Sequence, residues 1–259
     1  MKLDFHKYQG AGNDFIIIDN RLDKFPKEDY DLIKQYCDRK FGIGADGLML
    51  LENANDADFN MLYFNADGRP GSMCGNGGRC IVAFAKTLGL FENSTSFNAI
   101  GERYFAKIHK GQVSLNMMDV DNIEIHEGHV FLDTGSPHHV TFIENLPVVD
   151  VIAKGRKIRY GAPYFETGTN VNFVEKIDNN TFHVRTYERG VEGETLSCGT
   201  GVTAVALASY HTDLTNEKRI NIETPGGRLH IEFEKENKIY KNIVLTGPAT
   251  FVFKGTIEL

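Results

Sequence analysis

Long apolar segments are missing from this sequence of 259 residues. Its strongest apolar run, residues 15–18, has the length of one β-strand, whereas a membrane-spanning helix needs about 18 consecutive apolar residues. Residues 1–6 also lack the apolar core of a signal peptide. The sequence therefore predicts a cytoplasmic protein with no membrane partner.

An excess of positive charge is absent as well. The 28 Lys and Arg residues are outnumbered by 35 Asp and Glu residues, and the formal net charge is −7. Because proteins that bind nucleic acids carry basic surfaces, we expect no nucleic-acid partner. Only four cysteines occur, too few for a disulfide framework in a chain of this length, so we expect them to be thiols. This composition fits an enzyme or a binding protein with a hydrophobic core.

Short apolar segments separated by turn residues predict a mixed α/β fold. One helix is expected to begin at Pro26, because proline is tolerated in the first turn, and to run through Tyr36. Two further helices are expected at residues 81–88 and 202–208, the first of them ending at Gly89. The predicted strands lie at residues 15–18, 48–51, 59–64, 130–132, 140–143, 171–174, 182–187, 220–222, 229–233 and 250–253. Hairpin strands are also expected after the first cysteine motif's helix, with turns at Gly101 and at Lys110-Gly111.

The same plan occurs twice in the chain. A cysteine motif opens each of the last two helices, and the two copies lie about half the chain length apart. The copies are Cys74-Gly75-Asn76-Gly77 and Cys198-Gly199-Thr200-Gly201. Each follows a strand and a glycine-containing loop, and the turns at residues 10–14 and 134–138 form a second matched pair. We therefore infer two similar α/β domains.

Both motifs combine a cysteine with glycines at the start of a helix. Unpaired backbone N–H groups and the positive end of the helix dipole stabilise anions there, and they can lower a thiol pKa of about 8.5 by several units. The glycines let a ligand approach the backbone closely, so the N–H groups can hold a carboxylate or a phosphate. Such a turn can supply an activated nucleophile or a base.

Two facing turns of this kind suit inversion at the α-carbon of an amino acid. One cysteine, as thiolate, would remove the α-proton while the other, as thiol, delivers a proton to the opposite face. We expect the N–H groups of both helices to stabilise the negative charge that grows on the carboxylate in the transition state. Closure of the domains would exclude water and strengthen these interactions.

The chain resembles the diaminopimelate epimerase family. The resemblance rests on residues 10–15, 73–80, 188–190 and 195–201, and it covers the whole chain. Asn76, where proline racemases typically carry histidine, favours the diaminopimelate branch. The resemblance implies an isomerase that interconverts LL- and meso-diaminopimelate for lysine and peptidoglycan synthesis, without pyridoxal phosphate or any other cofactor.

The family resemblance also implies an architecture. It predicts two pseudo-symmetric domains, each a mostly antiparallel curved sheet or barrel around a central helix, with the active site in the cleft between them. The first domain would comprise residues 1–118 and a final strand within 249–259, and the second would comprise residues 119–248. A homodimer is expected from the family.

By the same resemblance, Cys74 and Cys198 are the two catalytic bases, and His138 and Glu188 assist their protonation. The remaining matched positions bind the substrate. They are Gly75, Asn76, Gly199 and Thr200 around the reacting carboxylate, Glu188 with the Arg189 carbonyl at the reacting amine, and Asn13, Asn65, Asn170 and Arg189 along the rest of the molecule. A guanidinium suits the distal carboxylate because it can donate two parallel hydrogen bonds.

Structural roles are expected for the remaining cysteines and for one histidine. Cys37 and Cys80 are interpreted as small buried hydrophobic residues, and His139 as a packed side chain. A metal site is not expected, because Cys74 and Cys80 lack the close spacing of zinc ligands and histidines are scarce nearby.

Two positions depart from the family pattern. Ser136 stands where members often carry asparagine, and Gly47 stands where glutamine is frequent, so Gly47 is left out of the predicted site.

Two other functions compete with the epimerase function. A proline or hydroxyproline racemase of the same group is disfavoured by Asn76 and by Arg189, which implies a second carboxylate on the substrate. A non-catalytic protein that holds a small anion at two helix starts is the third possibility.

Overall fold

The protein is described by a computed structural model that covers residues 2–71 and 73–258. Met1, Ser72 and Leu259 lie outside the described residues, and Met1 and Leu259 are the outer ends of the expected first domain. The helices are α1 (Tyr30–Cys37), α2 (Gly75–Thr87), α3 (Val151–Tyr160) and α4 (Gly199–His211). The strands are β1 (Lys2–Gly10), β2 (Asn13–Asp19), β3 (Gly47–Glu52), β4 (Phe59–Asn65), β5 (Ser94–Ala99), β6 (Glu102–His109), β7 (Gln112–Asn116), β8 (Ile123–His126), β9 (His129–Asp133), β10 (Pro137–Phe142), β11 (Asn170–Lys176), β12 (Thr181–Glu188), β13 (Gly193–Thr195), β14 (Arg219–Thr224), β15 (Gly227–Glu236), β16 (Ile239–Pro248) and β17 (Thr250–Glu258). Over the described residues, no helix combines the length and apolar character that crossing a membrane requires.

The chain divides into two compact units. Unit 1 comprises the residues up to Leu115 together with those from Gly247 onward, and unit 2 comprises Asn116–Thr246. In unit 1 the neighbouring strands are β17, β1, β2, β3, β4, β5, β6 and β7. Most of these pairs are antiparallel, and only β2–β3 and β4–β5 are parallel.

Helix α2 forms the centre of unit 1. It contacts β1, β2 and β3 and also β6, which lies several strands further along the same sheet. The sheet must therefore curve around the helix. Its residues from Gly75 to Ala85 are all buried, because a helix surrounded by a sheet has no side that faces water.

Unit 2 repeats the same order of pairing. Its neighbouring strands are β8, β9, β10, β11, β12, β14, β15 and β16, and β13 adds to the end of β12. The parallel pairs are again the third and the fifth, β10–β11 and β12–β14. Helix α4 contacts strands from β9 to β15 and is apolar on nearly every side, so the sheet of unit 2 also curves around its helix.

The mixed α/β class predicted from the sequence is confirmed, and several turns are also as expected. Gly89 ends α2 with a φ of +72°, a conformation that glycine adopts without strain. The hairpin loops at residues 100–101 and 110–111 have positive φ at both positions, which matches the twist of two-residue hairpins.

Two expectations about helices are wrong or incomplete. Helix α1 begins at Tyr30 rather than at Pro26, because the Asp29 side chain accepts the N–H of Leu32 and caps the helix there. Helix α3 was not predicted at all. Its buried residues, Val151, Gly155 and Arg159, form one stripe, and glycine and arginine conceal that stripe from a search for apolar periodicity.

Candidate active site

The start of α2 holds the first cysteine motif. Cys74 is the N-cap residue, with an extended backbone (φ −109°, ψ 118°), and its Sγ accepts the N–H of Gly77 at 3.5 Å. The same sulfur lies 3.5 Å from Oδ1 of Asn13, which can accept a thiol proton. The backbone N–H groups of this first turn and the positive helix end favour a thiolate or a bound carboxylate.

Behind the start of α2, a chain of polar side chains runs from buried Arg79 and Asn76 to the partly buried Asn13 and the exposed Asp46. Arg79 is fully buried and donates to the Gly75 carbonyl at 3.2 Å and to Asn76 Oδ1 at 2.9 Å. Asn76 Nδ2 donates to Asn13 Oδ1 at 3.3 Å, and Asn13 Nδ2 donates to Asp46 Oδ2 at 2.6 Å. Because a guanidinium only donates and a carboxylate only accepts, the two ends fix the orientation of both amides.

The acceptor end of this chain belongs to a group of charged side chains. Arg39 contacts Asp14 and Asp46, each at 2.6 Å, and the Lys7 ammonium lies 2.7 Å from Asp14. Burial alone would raise the pKa of Asp14, but hydrogen bonds and charges from Arg39 and Lys7 outweigh it and lower that pKa to about 2. Asp14 therefore stays ionised beside Asn13.

Asn65 ends β4 and is exposed there. Its backbone forms the turn that follows, since its N–H donates to the Arg69 carbonyl and its own carbonyl accepts from the N–H of Gly68, both at 2.9 Å.

Gly47, where glutamine is frequent in the family, has no room for a side chain. A Cβ atom there would lie 2.5 Å from both the Phe64 carbonyl and the Tyr63 ring. A glutamine therefore cannot replace Gly47 without a shift of β4.

The start of α4 holds the second cysteine motif. Cys198 is the N-cap residue of α4 and is buried. Its Sγ lies 3.4 Å from the hydroxyl of Thr200, and the backbone carbonyl of Thr200 accepts a hydrogen bond from Thr134 at 2.9 Å. The first turn of α4 therefore carries a sulfur, backbone N–H groups and a hydroxyl close together.

His138 extends this group of side chains inside unit 2. Its Nε2 lies 3.0 Å from the Thr200 hydroxyl, and its Nδ1 lies 3.2 Å from Nδ2 of Asn172. The side chain is fully buried. Burial, assisted by the positive charge of Arg189, lowers the pKa of His138 to about 3, so the imidazole is neutral at physiological pH.

The end of β12 carries the acidic and basic residues expected at the substrate amine and the distal carboxylate. Glu188 is the last residue of β12 and is partly buried. Asn170 is buried, and its Oδ1 accepts the backbone N–H of Arg189 at 2.8 Å. The Arg189 guanidinium donates to the Thr167 carbonyl at 3.0 Å. Asn170 therefore holds the backbone at the residue that follows Glu188.

The remaining cysteines and His139 have structural surroundings, as predicted. Cys37 and Cys80 are buried, and burial raises the pKa of Cys37 to about 12 and that of Cys80 further still. His139 is buried between the Tyr164 hydroxyl at 2.9 Å and the Thr141 hydroxyl at 2.7 Å.

The structure thus groups most of the predicted site residues within each unit. In unit 1, hydrogen bonds join Cys74, Asn76 and Asn13, while Asn65 takes part in a turn. In unit 2, contacts join Cys198 and Thr200 to His138, and a second set joins Asn170 to Arg189. Each cysteine therefore lies at a helix start whose backbone N–H groups favour an anion.

Sequence reasoning missed two buried polar residues, Arg79 and Asn172. Arg79 follows the first cysteine motif by two residues, and an arginine at the start of an otherwise apolar helix was a signal that could have revealed it. Asn172 follows Asn170 by two residues in β11, so the strand period of two places both on one face.

Comparisons with known proteins give the family. A sequence model of the diaminopimelate epimerase family matches residues 5–128 and 130–252. A diaminopimelate epimerase from Flavobacterium psychrophilum is 55% identical over 99% of this chain and 100% of its own length. Another, from Aquifex aeolicus, is 40% identical over 99% of this chain and 98% of its own length.

Solved structures of more distant proteins share the fold. A PhzF-family phenazine biosynthesis protein from Bacillus anthracis superposes with a TM-score of 0.81 at 14% identity, over the full length of both chains. A hydroxyproline epimerase from Agrobacterium vitis superposes with a TM-score of 0.71 at 13% identity, over 100% of this chain and 93% of that one. The match of the family model and the relatives that are 55% and 40% identical over nearly the whole chain show that it belongs to the diaminopimelate epimerase family.

Proposed function

We propose that this protein is a diaminopimelate epimerase, an isomerase that interconverts LL- and meso-2,6-diaminopimelate in the synthesis of lysine and of peptidoglycan precursors. Its family membership and the name of the relative that is 55% identical support the substrate. The observation that supports the chemistry best is that Cys74 and Cys198 are each the N-cap of a buried helix with a glycine-containing first turn. No cofactor takes part in the proposed reaction.

The proposed reaction uses the two sulfur atoms as a base and an acid. The thiolate of one cysteine takes the α-proton and becomes a thiol, and the electron pair of the C–H bond moves into the substrate carboxylate. The thiol of the other cysteine then gives its proton to the opposite face of the carbon and becomes a thiolate. The configuration is inverted, and the two cysteines have exchanged protonation states.

The first turns of α2 and α4 would hold the reacting carboxylate. Gly75, Asn76, Gly199 and Thr200 supply backbone N–H groups at positive helix ends, where the charge of the carboxylate grows as the α-proton leaves. His138, as a neutral imidazole, and Glu188 would assist the proton transfers of the two cysteines.

The remaining predicted residues would hold the rest of the substrate. Glu188 and the carbonyl of Arg189 would bind the reacting amine, and the Arg189 guanidinium would pair with the distal carboxylate. Asn13, Asn65 and Asn170 would add hydrogen bonds, with Asn170 also positioning the backbone of Arg189. This second carboxylate separates the proposed substrate from proline.

We propose further that the enzyme is a cytoplasmic homodimer. In unit 1, β17 pairs with β1 and presents three consecutive exposed apolar side chains, Phe251, Val252 and Phe253. Exposed apolar surface on a strand at the edge of a sheet is typical of a protein–protein contact.

Turnover of LL- and meso-diaminopimelate, measured beside L-proline, tests the proposed function. We expect rapid interconversion of the two diaminopimelate isomers, uptake of solvent deuterium at the α-carbon, and no reaction with L-proline. Cys74→Ser and Cys198→Ser should each lower kcat/KM by at least about a hundredfold, because each removes one partner of the acid–base pair.

Cys37→Ala is the matched control, because this buried thiol lies outside the proposed site, and it should retain wild-type turnover. Near-full activity of either Cys74→Ser or Cys198→Ser would reject the two-base mechanism. Racemisation of proline would assign the chain to the other branch of the group. Tight binding of diaminopimelate without any turnover would make the protein a binding protein.

A further inference from the structure

Asn172, a buried residue in the middle of β11, contacts His138 and plays no part in the proposed chemistry so far. It is 0% exposed and makes three hydrogen bonds inside unit 2. Its Oδ1 accepts from the Thr186 hydroxyl at 3.0 Å, while its Nδ2 donates to the His139 carbonyl and contacts His138 Nδ1, each at 3.2 Å.

The orientation of the Asn172 amide does not depend on His138. The backbone carbonyl of His139 can only accept a hydrogen bond, so the amide atom that faces it must be Nδ2. The Thr186 hydroxyl, which can donate, faces the opposite atom, Oδ1. Both neighbours therefore favour the same orientation.

This orientation decides which nitrogen of His138 carries the proton. Nδ2 of Asn172 has only protons to offer, so His138 Nδ1 must accept. The neutral imidazole then carries its proton on Nε2, which lies 3.0 Å from the Thr200 hydroxyl. The tautomer of His138 is thus set by a backbone carbonyl through one asparagine.

The Nε2 proton in turn directs the hydroxyl of Thr200. That oxygen accepts from Nε2–H, so its own proton is available for the sulfur of Cys198 at 3.4 Å. With the other tautomer, Nε2 would accept from Thr200, and the hydroxyl could offer only an acceptor to Cys198. A hydroxyl that donates stabilises a thiolate, whereas one that accepts stabilises a thiol.

We propose that Asn172 is a positioning residue that holds His138 in the Nε2–H tautomer and thereby directs the Thr200 hydroxyl proton to the thiolate of Cys198. The proposal deepens the proposed function, because it rests on Cys198 acting as one of the two bases. Both of its tests are made without substrate, so their outcome is separate from whether diaminopimelate is turned over.

The first test reads the tautomer in the unaltered protein. Nitrogen-15 labelling of histidine and long-range proton–nitrogen correlation spectra distinguish a protonated Nε2 from a protonated Nδ1. The signals of His138 are assigned by their loss in His138→Gln. We expect the proton on Nε2 at pH 7 to 8. A proton on Nδ1, or an imidazolium, would overturn the proposal.

The second test measures the Cys198 thiol. The rate of its alkylation by iodoacetamide is followed against pH by mass spectrometry of the peptide that contains Cys198. Asn172→Leu keeps the shape of the side chain and removes the amide, and we expect it to raise the pKa of Cys198 by about one unit, since the thiolate loses a directed hydrogen bond.

Thr186→Val is the matched control for Asn172→Leu. It disturbs the same buried cluster, but it leaves Nδ2 of Asn172 on the His139 carbonyl, so the pKa of Cys198 should not change. Equal shifts in the two variants would mean that packing, and not the tautomer, controls Cys198. If Asn172→Leu does not fold, Thr200→Val must raise the pKa of Cys198 to the same extent, and an unchanged value there would overturn the proposal.

Discussion

At the residue scale, the side chains beside the two cysteines differ in hydrogen-bonding character, although Cys74 also accepts the backbone N–H of Gly77. Cys74 contacts Asn13, an acceptor whose orientation is fixed by Arg79 through Asn76. Cys198 contacts Thr200, whose oxygen is set to donate by His138. An acceptor suits a thiol and a donor suits a thiolate. This contrast suits a reaction in which one sulfur holds a proton while the other lacks one.

Arg79→Lys tests the framework around Cys74. The guanidinium donates to Gly75, Asn76 and the Pro248 carbonyl from one buried position, and a single ammonium cannot reproduce that fork. We expect the free energy of unfolding to fall by about 2–4 kcal/mol, because buried acceptors lose their partners. We also expect kcat/KM to fall about tenfold or more, as Asn76 and Asn13 lose their fixed orientation.

Urea unfolding and the epimerase assay measure these effects, with Arg103→Lys as the control. Arg103 lies in the same unit, but its side chain is 41% exposed and pairs with Asp56 at the surface, so its replacement should change stability by less than about 0.5 kcal/mol. If Arg79→Lys matched Arg103→Lys in both measurements, the buried fork would have no role in the site.

The sequence predicts well that the two cysteine motifs begin helices, because the signals are local. A cysteine, two glycines and an apolar run lie within a few residues of one another, and helix physics alone predicts a helix start there. The partners of the motifs are not local, since Asn13 is 61 residues from Cys74 and His138 is 62 residues from Thr200. Such pairs form only when strands close over the helix, so Arg79 and Asn172 gain their roles from tertiary structure.

At the scale of the element, helix α3 supports the turn that carries Glu188 and Arg189. It rests on β12 at Gly155, where a Cβ atom would lie 2.4 Å from the Cβ of Tyr187. From its last turn, Arg159 contacts Glu192 at 3.1 Å, and the backbone N–H of Glu192 donates to the Glu188 carbonyl at 2.8 Å. The unpredicted helix therefore connects directly to the predicted site.

Gly155→Ala tests whether packing against β12 or helix propensity dominates the effect of this residue on the free energy of unfolding. In an exposed helix this change would stabilise the protein by about 1 kcal/mol. Against β12 the added methyl group must push α3 outward, and we expect a net loss of about 1–2 kcal/mol in the free energy of unfolding. The KM for diaminopimelate should rise as well, because the turn at Glu188 moves with the helix.

Lys154→Ala is the control in the same helix. Lys154 is exposed, and lysine and alanine have similar helix propensities, so neither stability nor KM should change appreciably. A stabilised Gly155→Ala variant would show that α3 and β12 can separate at little cost, and that the close approach at Gly155 is not needed.

At the scale of the whole molecule, the two units share one pairing pattern and differ in the side chains beside their cysteines. Each has eight neighbouring strands in the same series of antiparallel and parallel pairs, and each curves around a helix that begins at a cysteine. The repeated cysteine motif predicts this pattern from the sequence. The cysteine motif does not predict where the final strand, β17, lies. In the structure β17 pairs with β1, so the first and the last strand of the chain are neighbours within unit 1.

That final strand makes the proposed homodimer testable. Phe251, Val252 and Phe253 are 48%, 51% and 44% exposed, and their burial against a second copy would remove a large apolar area from water.

Sedimentation velocity of the wild-type protein should give twice the chain mass at micromolar concentration. Val252→Lys should give the mass of a single chain, because a lysine charge cannot be buried there without a partner. Leu22→Lys, which changes a single exposed leucine elsewhere in unit 1, should remain dimeric. A wild-type protein that sediments as one chain would reject the dimer, and a dimeric Val252→Lys would place its interface on another surface.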